Sequence, residues 1–342
     1  MNILFYSRPF WPSIGGVESI TRNLAESLVE CGNEVVVVTE TPSQAQDEFP
    51  FQVLRQPTAK QFISKVRWAN VFVHQGVSLR AIWPLFFARR PWIVVHHIWL
   101  PDTEWWKDPA SWLKRRAIRF ASINVAVSNA LAKQFNFPIT VIPNCYDERI
   151  FQRQDENLGV RSKDLIFVGR LIREKGVAVI LHALEQLKKL GISPSLTIAG
   201  AGPEKAVLCR AVKDFNLSNQ VEFAGIRQGH ELAELLSKHR VLVVPSLWAE
   251  PFGIVALEGI ACGCVPVGSD RGGLPEAMGT CGLTFPSGDA AALADKIRLV
   301  LKDEILCAKL KQAASNHLLR HYRKEIAIQY SRVFEQVIIQ FK

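Results

Sequence analysis

Short apolar runs alternate with amphipathic segments along most of the chain, which has 342 residues. In the first half, runs rich in Val and Ile predict strands at residues 3–6, 34–39, 71–74, 92–97, 123–127 and 140–142. A helix is predicted over residues 17–30, because Ile20, Leu24 and Leu28 fall on one face and Gly32 follows its end. Strands this apolar, each followed by a helix, are typical of a parallel sheet buried on both faces.

The same alternation starts again after a polar stretch at residues 146–163 that has no clear period. Strands are predicted at residues 164–168, 195–199, 221–223, 241–244 and 265–268, and helices at residues 177–190, 254–261, 289–302, 305–317 and 323–341. The polar stretch is typical of a domain linker, and the chain exceeds the usual size of a single core. The sequence therefore predicts an α/β protein with two Rossmann-like, doubly wound domains.

The composition is that of a soluble globular protein, with 48% hydrophobic and 21% charged residues. No apolar run reaches the roughly 18–20 residues that cross a bilayer, and the first residues indicate a strand rather than a signal peptide. The seven cysteines are scattered, and Cys262 and Cys264 have no second Cys/His pair near them. Reduced core thiols in a cytoplasmic protein are favoured over a zinc site or disulfides.

The net charge of +9 is unevenly distributed along the chain. Residues 55–133 contain 13 Lys and Arg against three Asp and Glu, whereas residues 1–54 contain two against seven. Eight of the nine tryptophans precede residue 113. This basic, Trp-rich region is compatible with an anionic membrane surface, with a phosphorylated substrate, or with a solvated basic face above an aromatic core. Segments 80–90 and 111–120 are the candidates for membrane contact.

Glycines and cations at predicted helix starts indicate sites for an anion. Gly15 and Gly16 lead from the first strand into a helix, where bare backbone N–H groups favour an anion; a tight turn without a ligand is the alternative. In the second half, Gly169 and Arg170 follow a strand and Lys175 precedes a helix. Two cations at such a junction suit a diphosphate, the alternative being a pair of surface cations.

Carboxylates and histidines lie at two further strand ends. In the segment at residues 250–258, Glu250 precedes a helix that starts near Gly253, and Glu258 lies on its later turns. Carboxylates there accept hydrogen bonds from polyols, although such a pair is more commonly a helix N-terminal acid and an exposed acid. The strand at residues 92–97 ends in His96 and His97, which alternate between faces, so one of them is expected to face a ligand.

The ordered set of motifs resembles the retaining glycosyltransferases of the GT-B fold, family GT4, over nearly the whole chain. Its members are the Gly15-Gly16 loop, the histidine that ends a strand, the cation loop at residues 169–176, and the segments at residues 198–203, 244–246, 250–258 and 272–276. The resemblance implies two domains facing an interdomain cleft. These are an acceptor-binding domain over residues 1–155, a nucleotide-sugar-binding domain over residues 156–322, and a helix over residues 323–342 that crosses back onto the first domain.

The resemblance also implies a role for each matching residue. Arg170 and Lys175 would neutralise the diphosphate and the leaving nucleotide. Glu250 would contact the transferred sugar, and His97, which matches the family histidine better than His96, would orient it. These four are the candidate catalytic residues. The candidate donor-binding residues are Glu258, at the ribose hydroxyls, and Gly15, Gly16, Gly169, Gly200, Gly202, Gly225, Ile226, Phe252, Gly253 and Ile254.

The expected activity is retaining transfer of a sugar from a nucleoside diphosphate (NDP) sugar, with UDP favoured over GDP, to a hydroxyl of a glycan or lipid-linked acceptor. This activity would belong to cell-surface polysaccharide or glycolipid biosynthesis. The sequence has no Asp-x-Asp, so no cofactor or metal is expected, and no nucleic-acid partner is expected either. The expected location is the cytoplasm, with peripheral contact at the inner face of the membrane.

Four alternatives compete with transfer. A GT-B nucleotide-sugar epimerase and a catalytically degenerate binding scaffold remain open. A dinucleotide-dependent oxidoreductase is disfavoured, because no complete G-x-G-x-x-G follows a predicted strand. A glycoside hydrolase that uses Glu250 and Glu258 as its two carboxylates is disfavoured, because both lie beside the anion-binding loops.

Overall fold

The computed structural model describes residues 1–13, 15–42, 48–102, 104, 106–153 and 161–341, and it divides into two compact units. Unit 1 comprises residues 1–145 and 321–342, and unit 2 comprises residues 146–320. The predicted boundary between residues 155 and 156 falls among residues 154–160, which lie outside the described residues. The last helix belongs to unit 1, so the chain leaves this unit once and returns to it.

The described part of unit 1 contains a parallel sheet of seven strands in the order β3-β2-β1-β4-β5-β6-β7. The strands are β1 (Asn2–Tyr6), β2 (Glu34–Thr39), β3 (Gln52–Arg55), β4 (Val71–Gln75), β5 (Trp92–His96), β6 (Ile123–Ala126) and β7 (Thr140–Val141). In the register of the central strands, Leu4 lies beside Val36 and Phe72. All three side chains are buried, as a parallel sheet with both faces covered requires.

Five described helices accompany this sheet: α1 (Gly16–Glu30), α2 (Ala59–Trp68), α3 (Pro109–Ala117), α4 (Asn129–Ala132) and α13 (Arg323–Phe341). Helix α13 packs on α1. The buried guanidinium of Arg323 lies 3.7 Å from a Glu26 carboxylate oxygen and 3.3 Å from one of Glu30. These ion pairs hold the C-terminal helix on the first helix of the same unit.

The described part of unit 2 contains a second parallel sheet, of six strands in the order β10-β9-β8-β11-β12-β13. The strands are β8 (Lys163–Val168), β9 (Leu196–Ala199), β10 (Val221–Gly225), β11 (His239–Val244), β12 (Val265–Ser269) and β13 (Leu283–Phe285). The helices are α5 (Val177–Lys189), α6 (Lys205–Asp214), α7 (Gly229–Ser237), α8 (Ile254–Ala261), α9 (Leu274–Met278), α10 (Ala290–Lys302), α11 (Glu304–Gln312) and α12 (Ala314–Leu319). The order reverses direction at β8, so the loops after β8 and β11 flank a topological switch point.

The structure confirms the doubly wound α/β prediction and differs from it in several details. The sequence analysis does not predict the helices α2, α3, α4, α6 and α7. The strand predicted at residues 92–97 ends at His96. The helix predicted at residues 305–317 is two helices, α11 and α12, and the His317 ring near this break is hydrogen-bonded to the Ala277 carbonyl at 2.8 Å. The short strands β3 and β13 were not predicted; both are edge strands, whose residues are too few or too exposed to give a clear alternating pattern.

Candidate functional site

The loops after β8 and β9 in unit 2 pass each other so closely that only glycine fits. A side chain added at Gly200 would collide with the Gly169 carbonyl, and one added at Gly202 would collide with the Leu171 carbonyl. Gly169 and Gly200 have φ angles of 157° and 154°. These glycines, which the sequence assigned to donor binding, bring backbone groups of two strand ends together at the carboxyl edge of the sheet.

Glu250 is held in place by two side chains of the same unit. Its carboxylate oxygen Oε1 lies 2.6 Å from Lys175 Nζ, and Ser246 Oγ donates a hydrogen bond of 2.5 Å to the same oxygen. Only 7% of the Glu250 side chain is exposed, so this charge is stabilised mainly by its partners rather than by water. The structure therefore brings two of the predicted catalytic residues, Lys175 and Glu250, into direct contact.

The ammonium group of Lys175 also lies over an aromatic ring, 5.7 Å from the centroid of Trp248. Lys175 precedes Gly176, the N-cap of α5, whose φ of 69° and close approach to the Pro245 carbonyl both require glycine. The loops after β8 and β11 thus support the same lysine from two sides.

Arg170, by contrast, is exposed, and it forms no ion pair with any residue that the structure describes. It lies directly after Gly169 at the end of β8. This unpaired guanidinium, in the same loop as Lys175, leaves positive charge available to an anion at this edge of the sheet. Ile226, which is 53% exposed, follows Gly225 at the end of β10, the edge strand of the same sheet.

Helix α8 starts where the sequence predicts, with Gly253 as its N-cap at φ 104° and ψ 56°. Phe252 is buried beside the cap, and Ile254 is the first helical residue. The first amide groups of a helix have no acceptor within the helix, and its dipole favours an anion or a hydroxyl oxygen there. Glu258 lies one turn further along α8.

Glu258 is a weaker acid than an ordinary glutamate side chain. Burial, with a smaller contribution from the nearby Asp147 carboxylate, raises the pKa of Glu258 to about 7. It makes no hydrogen bond to another residue in the described parts of the chain, whereas Asp147 is paired with Arg149 at 2.7 Å. The Glu258 carboxyl group therefore has both its oxygens available for hydroxyl groups of a ligand.

In unit 1, Gly15 is the N-cap of α1 and Gly16 is its first residue, one position before the predicted start at residue 17. An added side chain at Gly16 would meet no described atom within 4 Å. Glu18 is the acidic residue of the first turn, and an added side chain at Gly15 would collide with its carboxylate. The acid therefore lies over the helix start that the sequence assigned to an anion.

The two histidines at the end of β5 have different partners. His96 Nε2 lies 2.9 Å from Asn124 Oδ1, and the His96 ring packs on Phe135 at 4.5 Å between centroids. His97 Nε2 lies 2.6 Å from Gln75 Oε1, while its Nδ1 is buried without a hydrogen-bond partner. Burial lowers the pKa of His97 to about 3 and that of His96 to about 4, so both rings are neutral near pH 7.

Three residues of these sites were not assigned a role from the sequence: Ser246, Trp248 and Gln75. Ser246 lies four residues before Glu250, and Trp248 two residues before it, so a polar and an aromatic side chain next to the strand end were the available signals. Gln75 is a polar residue that ends a fully buried strand.

The described residues contain no group of three or more His, Cys, Asp or Glu side chains arranged to hold a metal ion, and no helix among them is long and apolar enough to cross a membrane.

Two family profiles match this chain. The profile described as "Glycosyl transferases group 1" matches residues 148–317, and "Glycosyltransferase Family 4" matches residues 14–149. Together they span both units and include all four of the candidate catalytic residues.

Among curated proteins, the glycogen synthase of Mycobacterium tuberculosis (strain CDC 1551 / Oshkosh) is 32% identical over 213 residues, 61% of this chain. The match spans about half the length of that relative, 51%. The N-acetyl-alpha-D-glucosaminyl L-malate synthase of Bacillus anthracis is 24% identical over 96% of both chains.

Solved structures share the fold at low sequence identity. HepE of Anabaena, in complex with UDP and glucose, has a TM-score of 0.79 at 22% identity and covers 98% of this chain and 100% of its own. The sucrose-phosphate synthase of Thermosynechococcus elongatus has a TM-score of 0.79 at 22% identity, over 99% of both chains. The two parallel-sheet units therefore have the architecture of the GT-B fold.

Proposed function

We propose that this chain, which belongs to the group 1 glycosyltransferase family, transfers a sugar from an NDP-sugar to a hydroxyl group with retention of the anomeric configuration and without a metal ion. That it is a glycosyltransferase follows from the family; the donor, the stereochemistry and the acceptor are the proposal. UDP is the proposed nucleotide, which is supported by the UDP complexes among the solved structures of this fold.

The observation that carries the proposal is the buried Glu250 carboxylate, fixed by Lys175 and Ser246 beside the N-terminus of α8. A carboxylate held in one position accepts hydrogen bonds from sugar hydroxyls, while the adjacent lysine binds phosphate oxygens. Both partners are in place before any ligand binds, so little reorganisation opposes the reaction. Glu250 orients the transferred sugar in this scheme and is not its nucleophile.

Positive charge for the leaving group comes from Arg170 and Lys175. As the bond between the anomeric carbon and the phosphate oxygen breaks, its electron pair moves to the diphosphate, whose negative charge increases. Arg170 is exposed and unpaired among the described residues, and Lys175 has only 22% of its side chain exposed. These two cations take the role that a metal ion plays in metal-dependent transferases.

The new bond forms on the face that the leaving group departs from. The acceptor hydroxyl attacks the anomeric carbon, and its proton passes to an oxygen of the departing phosphate, so no protein base is needed and the configuration is retained. The nucleotide is bound by Glu258 at the ribose and by the backbone at Gly225 and Ile226 near the base. In unit 1, His97 contacts the sugar, and Gly15 and Gly16 contact a phosphate or the acceptor.

For the acceptor, we propose a glycan or lipid-linked molecule reached at an anionic membrane surface. Support comes from a basic-aromatic edge in unit 1, formed by Phe86, Phe87, Arg89, Arg119 and Phe120. The three phenylalanines are 83%, 61% and 85% exposed. Residues 86–89 precede β5, and residues 119–120 precede β6. Because β5 and β6 are neighbouring parallel strands, both segments lie at the amino-terminal edge of the sheet. Exposed aromatic rings among arginines are typical of protein surfaces that bind anionic lipids.

Vesicle flotation tests this edge. We expect the protein to float with vesicles containing 30% phosphatidylserine, and the double variant Phe86→Ser/Phe87→Ser to lose most of that binding. Ile305→Ser in unit 2 is the control, because Ile305 is 85% exposed and lies outside the basic-aromatic edge. Equal binding to neutral vesicles, or no binding to either kind, would contradict the membrane part.

A transfer assay tests the chemistry. UDP- and GDP-sugars are incubated with an acceptor panel that includes lipid-linked and free glycans, NDP release is measured, and the anomeric configuration of the product is read by proton NMR. Glu250→Gln should lower turnover strongly, while Glu234→Gln, an exposed surface acid, should not. An inverted product would contradict retention, a free sugar epimer as the main product would indicate an epimerase, and an absence of turnover with every pair would indicate a binding scaffold.

A further inference from the structure

Two buried polar side chains meet at the carboxyl ends of neighbouring strands in unit 1. Gln75 is the last residue of β4, and His97 follows the last residue of β5. The strands are paired in parallel, with Gln75 beside Val95. Gln75 is 5% exposed and His97 is 6% exposed, and His97 Nε2 lies 2.6 Å from Gln75 Oε1. A contact this short between buried groups is a strong hydrogen bond.

The chemistry of the two groups decides which ring nitrogen carries the proton. An amide oxygen only accepts hydrogen bonds, so His97 Nε2 must be the donor. Burial keeps the His97 ring neutral near pH 7, because it lowers the pKa of this ring to about 3. A neutral imidazole has one proton, and Nδ1 therefore has a lone pair that accepts.

Two polar atoms of this pair have no partner within the described residues: His97 Nδ1 and Gln75 Nε2. One is an acceptor and the other a donor, and both are buried. Buried polar groups are usually hydrogen-bonded. The ring nitrogens of His74 also have no partner among the described residues, but they lie within β4, whereas this donor and acceptor lie together at the carboxyl ends of two parallel strands, where open α/β sheets bind their ligands. A hydroxyl group is the partner class that both donates and accepts; a deoxy position or an ether oxygen does not donate.

The neighbouring His96 shows what a histidine without a ligand role looks like in the same strand. Its Nε2 bonds to Asn124 Oδ1 at 2.9 Å, and the Asn124 amide is itself fixed, since its Nδ2 donates to the Ile118 carbonyl at 2.8 Å. The Asn124 side chain thus satisfies both of its ends inside the protein. The Gln75 amide, in contrast, has a partner for its oxygen, His97 Nε2, but none among the described residues for its nitrogen.

We propose that Gln75 is a positioning residue that fixes the proton of His97 on Nε2, so that Nδ1 accepts a hydrogen bond from one hydroxyl group of the transferred sugar. This inference rests on the proposed function, because it assigns the ligand as the sugar of the donor. It makes the enzyme selective for sugars with a free hydroxyl at that position. Gln75 does not touch the reacting atoms; it acts through His97.

The first test is spectroscopic and needs no activity. In the free protein labelled with nitrogen-15, long-range proton–nitrogen correlation spectra identify the tautomer of each ring, and His97→Gln assigns the signal. We expect His97 to be protonated at Nε2 in the wild type and to become a mixture of tautomers in Gln75→Met, which has a similar volume but a much weaker acceptor. A ring protonated at Nδ1 in the wild type, or an unchanged tautomer in Gln75→Met, would overturn the proposal.

The second test uses UDP-glucose and its four monodeoxy analogues in the transfer assay. A site built around a hydroxyl group rejects the analogue that lacks it, so we expect kcat/KM to fall at least ~100-fold for one analogue with the wild type. In Gln75→Met this discrimination should shrink to within about threefold. Asn124→Leu, which removes the equivalent partner of His96, should lower stability but leave the discrimination intact. Discrimination that survives in Gln75→Met would contradict the positioning role.

The two tests separate the inference from the function on which it rests. If the wild-type protein turns over no NDP-sugar, the proposed function fails, while the tautomer of His97 still decides whether Gln75 fixes it. If turnover is present and the tautomer is as expected, but no deoxy analogue is discriminated against, the assignment of the ligand to a sugar hydroxyl is wrong.

Discussion

The raised pKa of Glu258 predicts that nucleotide binding depends on pH and releases a proton. In the free protein, burial and the Asp147 carboxylate raise the pKa of Glu258 to about 7. Ribose hydroxyls donate hydrogen bonds, so they stabilise the ionised carboxylate and lower the pKa of Glu258 in the complex. Binding therefore removes the proton from molecules in which Glu258 is protonated. Affinity should be highest above pH 7 and should fall as the pH drops below it.

The magnitude follows from the free-state pKa of Glu258. With a pKa near 7, the carboxyl is ~90% protonated at pH 6 and ~10% protonated at pH 8, so binding releases ~0.9 proton at pH 6 and ~0.1 proton at pH 8. If the carboxylate stays ionised in the complex, the dissociation constant for UDP rises about tenfold between pH 8 and pH 6. That factor corresponds to about 1.4 kcal/mol.

Calorimetric titration of UDP in buffers with different ionisation enthalpies measures the released protons directly. UDP has a phosphate group that titrates in the same range, so the quantity to compare is the difference between the wild type and Glu258→Gln, which cannot ionise. We expect that variant to bind UDP ~5- to 150-fold more weakly at pH 8, as for the loss of a charged hydrogen bond. Proton release that is identical in both proteins at pH 6 would refute the assignment of Glu258 to the ribose.

Three further results are expected from other parts of the structure. Arg170→Ala should lower kcat at saturating donor about 10- to 100-fold, because leaving-group charge grows in the transition state, and Arg298→Ala, a surface control, should not; unchanged turnover in Arg170→Ala would remove its role. EDTA should leave both UDP binding and turnover unchanged, and a loss restored by Mg²⁺ would contradict the metal-free mechanism. Arg323→Ala should lower the free energy of unfolding by about 2 kcal/mol, because it removes a buried guanidinium that pairs with Glu26 and Glu30 on α1, while Arg22 still pairs with Glu26; an unchanged urea midpoint would show that this pair does not hold α13.

The architecture was predictable because its signals are local and repeated. The bounds of α8 and α13 came directly from apolar periodicity, and the N-caps Gly15 and Gly253 from the position of glycine before a helix. The break between α11 and α12 was not predictable, since Ala313 is neither glycine nor proline and has helical dihedral angles. Such a break depends on tertiary contacts, which the sequence pattern does not contain.

The candidate site was predictable in its residues but not in its pairing. The motif indicated Lys175 and Glu250 separately, 75 positions apart along the chain. Their direct contact, the hydrogen bond from Ser246 and the Trp248 ring over the lysine depend on how the loops after β8 and β11 fold together. Likewise, the partner that fixes His97 is Gln75, on a different strand, and only sheet pairing brings the two together.

The central claim is that unit 2 binds a nucleoside diphosphate without a metal ion. The most direct measurement is the thermal unfolding midpoint of the wild type and of Glu258→Gln with UDP, GDP, ADP, NAD or NADP, all in EDTA. We predict that UDP raises the midpoint of the wild type, that this shift is much smaller in Glu258→Gln, and that NAD and NADP have no effect. Stabilisation by NAD alone, or no stabilisation by any nucleotide, would contradict the account.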